Sequence, residues 1–293
     1  MILNVSGRCD IVAFYSEWFL ERYERGFVDV RNPIYPKLIS RIYFKDVDLI
    51  VFCTKNPLPI IDKLYLINIP ILFQITLTPY KEDIELVPPK GLIIEGIKKI
   101  SNIIGQENVY VRYDPIFLSK RYNLQYHINA FDNLCSKLDG YVNKIIISFM
   151  DEYKNTLKNK KYLKYQKLRE DDIKTIGKKF QESATKHHIT VQTCSEENSL
   201  IEYSFIKDDC VSKELAFQKT GKKFAKWYSR NNKYCNCVAM TDIGVYNCCK
   251  HLCKYCYANF DESKVGNNFK IHDKNSSLLI GHLQADDIVK IKK

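Results

Sequence analysis

The chain has 293 residues, 45% of them hydrophobic, enough for one large domain with a sizeable core. No run of about 20 apolar residues occurs, so no membrane span is expected. A formal net charge of +11 permits a nucleic-acid partner through phosphate attraction, but lysines spread along polar helix faces account for it more simply. The N-terminus, M-I-L-N-V-S-G-R-C-D, lacks the charged start and long apolar region of a signal peptide. An intracellular, cytoplasmic location is therefore expected, where eleven cysteines point to metal or redox chemistry rather than disulfides.

Short apolar runs alternate with helical patterns along most of the chain. A strand is expected over 2–5 and a helix over 14–25, closed by Gly26. Residues 27–30 and 39–44 read as two β arms around Asn32-Pro33 and Tyr35-Pro36. The run 49–53, L-I-V-F-C, suits a strand buried on both faces. A helical stretch over 60–67 leads to a strand over 71–76. Ile93, Ile97, Ile100 and Ile104 recur at helical spacing over 91–104, with Gly105 as a C-cap. Further strands are expected over 109–113, 144–149, 190–193 and 237–241, with helices over 124–138 and 171–188. Residues 155–167 read as an exposed excursion. The chain after Phe260 reads as a polar tail without periodicity until Ile280.

This alternation implies a parallel sheet with right-handed crossovers, hence an α/β, (β/α) barrel-like fold. One domain is expected over 1–260, with a cysteine-rich segment over 190–260 and a C-terminal tail over 261–293. Each strand ends in polar or reactive groups, as at the active-site rim of a barrel. The first ends in Arg8, Cys9 and Asp10, the second in Thr54, Lys55 and Asn56. The third carries Gln74, Thr76 and Thr78. Arg112 and Asp114 follow, then Asp151 and Glu152, then Cys194, Ser195, Glu196 and Glu197, and finally Asp242. Arg8 and Arg112 could grip an anion bidentately or pair with Asp10 or Asp114 as scaffold. Lys55 could touch a cofactor or stand as a solvated rim charge. His127 reads as a satisfied structural histidine.

The last strand feeds Y-N-C-C-K-H-L-C-K-Y-C-Y-A-N, residues 246–259. Cys249, Cys253 and Cys256 have the spacing C-x3-C-x2-C, with Tyr255 before the last. Three thiolates on one short loop can hold three irons of a [4Fe–4S] cube and leave the fourth iron open. Zinc is the rival, held by Cys248, Cys249, Cys253 and Cys256 or with His251 in place of one of them, although only one C-x2-C is present. Cys194, Cys210, Cys235 and Cys237 could supply a second metal site, iron–sulfur before zinc. Cys9, Cys53 and Cys135 read as small buried residues.

The three-cysteine loop resembles that of the radical S-adenosylmethionine superfamily, and its C-x3-C-x-Y-C-Y-A ending resembles the cluster loop of spore-photoproduct-lyase-like enzymes. Over residues 1–260 the chain also resembles a family described as domain of unknown function 1848. The segments that carry this are S-G-R-C-D-I-V-A-F-Y-S-E-W-F, V-R-N-P, V-F-C-T-K-N-P, Q-I-T-L-T-P-Y, R-Y-D-P, I-S-F-M-D-E-Y, T-C-S-E and the cysteine-rich end. That family resemblance implies cysteine at the positions of Cys194, Cys210, Cys235, Cys237, Cys249, Cys253 and Cys256, but not of Cys248.

The radical-enzyme resemblance implies S-adenosylmethionine on the open iron, its cleavage to a 5′-deoxyadenosyl radical, and a reducing partner such as ferredoxin or flavodoxin. Lys55, Asn56, Gln74, Thr76 and Tyr255 are the cofactor-binding candidates, and Arg8, Asp10, Arg112, Asp114 and Glu196 the catalytic ones. In most such enzymes the cysteine loop follows the first strand; here it follows the last. A circularly permuted barrel, with the last strand beside the first, would reconcile the two. A zinc-stabilised basic binding protein, with nucleic acid as a possible partner, is the alternative.

Overall fold

The computed structural model describes residues 1–196, 198–226 and 234–292; Glu197 lies outside them. The strands are β1 (Ile2–Val5), β2 (Phe27–Arg31), β3 (Leu38–Tyr43), β4 (Leu49–Thr54), β5 (Ile71–Thr76), β6 (Val109–Ile116), β7 (Lys144–Phe149), β8 (Thr190–Thr193), β9 (Ile206–Lys207), β10 (Met240–Asp242) and β11 (Ile288–Ile291). The helices are α1 (Ile11–Phe14), α2 (Ser16–Glu24), α3 (Lys90–Ile104), α4 (Leu124–Leu138), α5 (Lys154–Lys158), α6 (Lys160–Leu163), α7 (Glu170–Lys186), α8 (Lys213–Thr220) and α9 (Glu262–Lys270). No helix among the described residues is long and apolar enough to cross a membrane.

Eight strands form one sheet in the order β10-β1-β4-β5-β6-β7-β8-β9, every pair parallel. The last of these strands in the chain, β10, lies beside β1 with Ile2 opposite Met240, the neighbour relation expected of a permuted barrel. Ring closure is not observed: among the described residues β9 and β10 are the two edges.

Because side chains alternate across a strand, the sheet has two unlike faces. Leu3, Val5, Ile50, Phe52, Phe73, Ile75, Val111, Tyr113, Ile145, Ile147 and Val191 share the main core with Ile97 of α3, Phe131 of α4 and Phe180 of α7. Ile2, Leu49, Val51, Leu72, Tyr110 and Ile146 face the other way. They pack against Cys194, Cys210, Val211, Ala216, Cys235, Cys237 and Val238. Helix α8, through Ala216, and the cysteine-bearing stretches on either side of it thus cover this second face.

Several local expectations change. The stretch expected as a helix over 60–67 is a 3-10 helix, Leu58–Leu66. Pro57 and Pro59 remove donors there, and Ile60 and Ile61 are stiff at χ1. The last strand begins at Met240 rather than at 237, because Val238 N–H donates to Val211 O at 3.0 Å and draws the chain toward the cysteines. The stretch 155–167 is exposed along most of its length, as expected, but it is built of α5 and α6 and anchored by buried Asn155, Thr156 and Leu163. The segment after Phe260 is no tail. It forms α9, and β11 joins β3 and β2 in a second sheet. Asp287 holds Arg31 with bonds of 2.6 and 2.7 Å, and Trp18 Nε1 donates to Ser276 O at 2.9 Å.

His127 behaves as a structural histidine. It is fully buried on α4; Tyr113 Oη lies 2.9 Å from Nδ1, and Nε2–H donates to Phe117 O at 3.0 Å. Burial lowers its pKa from 6.5 to about 4. The unfolded chain therefore binds the extra proton first, so stability is full above pH 6.5 and falls as pH drops toward 4. Shifts of this size correspond to about 3 kcal/mol. Denaturant unfolding at pH 7 and pH 4 should show this loss, and a His127→Gln variant should lack that part of it. An unchanged pH slope in the variant would remove the assignment.

Candidate functional site: a three-cysteine loop on the strand rim

The cysteine loop follows β10 and is braced from four directions. Asn155 Nδ2 donates to Cys256 O and Asn259 O, both at 2.6 Å, and Asn159 Nδ2 donates to Lys254 O at 2.7 Å. Helices α5 and α6 are thus a strap over the loop. Asn247 Oδ1 accepts from Phe260 N and Asp261 N at 2.8 and 3.1 Å. Leu86 N donates to His251 O at 2.7 Å, and Lys254 N to Ile84 O at 2.9 Å. Leu252 turns with φ 47, a left-handed geometry that leucine adopts at a cost and that this bracing enforces.

The loop cysteines differ in environment. Cys249 and Cys256 are half-buried and Cys253 is buried. Burial pushes the Cys249, Cys253 and Cys256 thiols up. Ala258 N–H points at Cys256 Sγ at 3.3 Å. Cys248 is fully buried in the core, its Sγ 2.7 Å from Cys9 Sγ and 2.9 Å from Val245 O. Cys9 is buried in the core, as expected, with Cys248 as its neighbour. His251 is also occupied, with Nε2 3.0 Å from Asp10 Oδ2 and Nδ1 2.8 Å from Leu86 O.

Asp10 joins three elements. Its carboxylate accepts from Ala13 N at 3.0 Å, capping α1, from Thr54 Oγ1 at 2.8 Å, and from Lys55 N at 2.7 Å. With His251 added, the carboxylate locks the loop to the ends of β1 and β4. Arg8 pairs with Asp242, not with Asp10: its Nε lies 3.3 Å from Oδ2 and its Nη2 donates to the Asp242 carbonyl at 3.1 Å. Burial raises the Asp242 pKa despite Arg8. The ends of β1 and β10 meet so closely that a Cβ on Gly7 would stand 2.9 Å from Asp242 Oδ2.

Lys55 lies beneath the loop, its Nζ 2.9 Å from Glu85 Oε2 and 5.4 Å from the Tyr255 ring centroid. Burial alone would lower its pKa; Glu85, then Cys253 and Asp114, raise it instead. Glu85 is 1% exposed and also takes Lys90 Nζ at 2.5 Å, Thr78 Oγ1 at 2.6 Å and the Tyr255 hydroxyl. Burial would raise its carboxyl, but Lys55 and Lys90 outweigh that and hold it at about 2. Asn56 is a turn residue, its Oδ1 3.3 Å from Leu58 N.

The remaining candidates lie on or beside the sheet face shared by Ile2, Leu49 and Val51. Arg112 donates from Nε and Nη2 to Asp114 Oδ2 at 3.0 and 2.5 Å, and from Nη1 to Gln74 Oε1 at 3.2 Å. Thr76 stands opposite Arg112 in the β5–β6 register. Glu196 accepts from Phe149 N at 2.8 Å. Strand parity adds Asn4, Cys53 and Ser148, which the strand-end reading passed over. Cys53 Sγ lies 3.5 Å from Asn4 Oδ1, and Ser148 Oγ donates to Asp114. Glu85 had no sequence signal, since it sits in an ordinary charged stretch between β5 and α3.

Cys194, Cys210, Cys235 and Cys237 gather on the same face. Cys194 Sγ lies 2.7 Å from Cys210 Sγ, and the sulfurs of Cys235 and Cys237 lie within 4.8 Å of each other. Among the described residues, Asp209, Cys235 and Cys237 are the one group of three possible ligands whose donor atoms all lie within 4.8 Å of one another. The sulfurs of Cys249, Cys253 and Cys256 are spread more widely.

A family model described as "Domain of unknown function (DUF1848)" matches residues 2–258. No curated protein and no solved structure matches the chain.

Proposed function

The chain belongs to the DUF1848 family, and from that premise we propose that it is an iron–sulfur protein acting as a radical S-adenosylmethionine enzyme on a permuted, barrel-like α/β scaffold. The observation that carries the reading is the state of the two possible fourth ligands. Cys248 is turned to Cys9 and Val245, and His251 to Asp10 and Leu86. Three thiols, Cys249, Cys253 and Cys256, are left. A structural zinc takes four protein ligands at close spacing, whereas a cube with an open iron takes three, each on a different metal.

Cys249, Cys253 and Cys256 would hold such a cluster, which would supply one electron to the sulfonium of S-adenosylmethionine, whose cleavage would give methionine and a 5′-deoxyadenosyl radical. The protein's part is placement. Asn155 and Asn159 hold the loop carbonyls, Ala258 N–H supports Cys256, and Asp10 fixes the loop to the rim. Arg112, Asp114, Gln74 and Asn4 provide charged and amide groups on the face beside it, suited to the amino, carboxylate and hydroxyl groups of the cofactor or a polar substrate. A reducing partner such as ferredoxin or flavodoxin completes the system.

Anaerobically purified protein should carry iron and sulfide, and after reduction it should release 5′-deoxyadenosine from S-adenosylmethionine. A verified, reducible cluster that neither binds nor cleaves the cofactor would return the loop to a structural role. Zinc bound at the loop, without colour, would support the zinc-stabilised binding protein instead.

A further inference from the structure

We infer that the strap α5–α6 and the end of the cysteine loop form the docking surface for a small acidic one-electron carrier protein of the ferredoxin class. The inference rests on the reading of the loop as a cluster site and adds the surface through which the electron enters. A reduced carrier docked there gives up one electron to a cluster held by Cys249, Cys253 and Cys256 and leaves oxidised, with no atom transferred.

The strap is a one-sign surface. Residues 153–168 carry six lysines and no carboxylate: Lys154, Lys158, Lys160, Lys161, Lys164 and Lys167. All six are exposed, and among the described residues none is paired with a carboxylate. Lys158 Nζ donates to Phe260 O at 3.3 Å, while Lys160 and Lys161 lie over the Tyr165 and Tyr162 rings. Carboxylates at the border are engaged internally. Asp151 accepts from Tyr153 Oη at 3.0 Å, and Glu262 pairs with Lys254 Nζ at 2.6 Å. Like charges gathered this way repel one another and are answered when a negative surface meets them.

The same surface carries apolar side chains and reaches the loop cysteines. Tyr153, Leu157 and Tyr162 of the strap and Tyr257 and Phe260 of the loop end are between 45% and 51% exposed. The Tyr153 and Tyr257 rings stand 5.7 Å apart, and Lys254 Nζ lies 5.4 Å from the Tyr162 ring centroid. Strap and loop end are therefore continuous, with aromatic groups among lysines, as in the core and rim of a protein interface. Asn155 holds the carbonyl of Cys256 itself, and Cys256 is half-buried. A carrier seated on the strap stands next to one of the three loop sulfurs.

The kind of cation favours a protein carrier over a nucleic acid. No arginine occurs in residues 153–168, and Arg169 beyond them is paired with Asp172 at 2.9 Å. Firm phosphate recognition uses the planar fork of a guanidinium, whereas lysine offers a point charge on a flexible stem. An electron carrier must dock and leave in every cycle. Lysines speed its approach by long-range attraction without locking it in place, and such encounters use small interfaces.

The test measures calorimetric binding of a purified acidic ferredoxin to the full chain, native and with Cys249, Cys253 and Cys256 replaced by alanine. Both should bind, and more weakly as salt rises. Replacing Lys154, Lys160, Lys161 and Lys167 by glutamate should weaken binding about tenfold or more. Glutamate at Lys99, Lys178, Lys186 and Lys223, an equal change of charge on α3, on α7 and after α8, should weaken it less than about threefold. Carbodiimide cross-linking should join ferredoxin carboxylates to strap lysines. Should the four-site strap variant fail to fold, Lys160→Gln with Lys161→Gln should still weaken binding about threefold. In cluster-loaded protein the strap substitutions should slow reduction by ferredoxin but not by dithionite. No binding to the native chain, equal weakening by the two sets, cross-links confined to other surfaces, or a single-stranded oligonucleotide that takes the strap and excludes ferredoxin would each overturn the inference. Docking is read on the chain without loop cysteines and cofactor cleavage on the native chain, so the failure of one is distinguishable from the failure of the other.

Discussion

Protein with Cys249, Cys253 and Cys256 all replaced by alanine should lose about four irons and four sulfides per chain, whereas Cys248→Ala should lose none. The two adjacent cysteines occupy opposite environments. Cys249 is half-buried at the loop surface, while Cys248 is fully buried and engaged with Cys9 and Val245 O. Cys248→Ala should act as a core substitution and lower stability by about 1 kcal/mol. The loop variant should keep its fold, because Asn155, Asn159, Asn247 and Asp10 brace the loop through backbone and His251 contacts rather than through sulfur. Iron and sulfide analysis after anaerobic reconstitution reads the difference directly. Equal iron loss in the two variants would sink the three-ligand assignment.

The sequence carried the strand frame well because buried parallel strands read as continuous apolar runs. The strands at Lys144–Phe149 and Thr190–Thr193 occupy the expected residues, and α4 spans the expected Leu124–Leu138. The pairing of β1 with β10 was legible as well, since a cysteine loop on the last strand makes sense beside the first. Ring closure was not legible. Strand alternation gives the neighbours inside a sheet but says nothing of the gap between its edges, where β9 is only two residues long.

Function-bearing contacts were harder to read, for physical reasons. Arg8 and Asp242 are 234 residues apart in the chain, and only the β1–β10 pairing brings them together. Asp10 was a candidate for chemistry, yet its oxygens take four partners that are also what a capping and locking residue needs. The lysine- and tyrosine-rich stretch 155–167 looked solvated because its apolar anchors are few. Asn155 and Asn159 do the holding through side-chain amides, which no hydropathy pattern records.

Glu85→Gln should be among the most damaging single changes in the protein, at about 3–5 kcal/mol near neutral pH. The glutamine keeps the shape but removes the charge that answers two ammonium groups. Lys90 is 31% exposed and can turn to water, but Lys55 is 13% exposed and cannot. An unpaired buried ammonium remains beneath the cysteine loop. The pH dependence provides an independent check. Lys55 and Lys90 overcome burial to hold the Glu85 carboxyl at about 2, against an ordinary 4.5. A depressed carboxyl contributes stability that is full above pH 4.5 and is lost as pH falls toward 2, here about 3 kcal/mol. The gap between native protein and Glu85→Gln should therefore be wide at pH 7 and narrow toward pH 2. Pairing Glu85→Leu with Lys55→Met should recover much of the loss, because it removes both members of the buried pair. Urea unfolding of the three proteins across pH decides the matter. A gap below about 1 kcal/mol at pH 7, or no recovery in the double variant, would mean that packing and not charge holds this part of the rim.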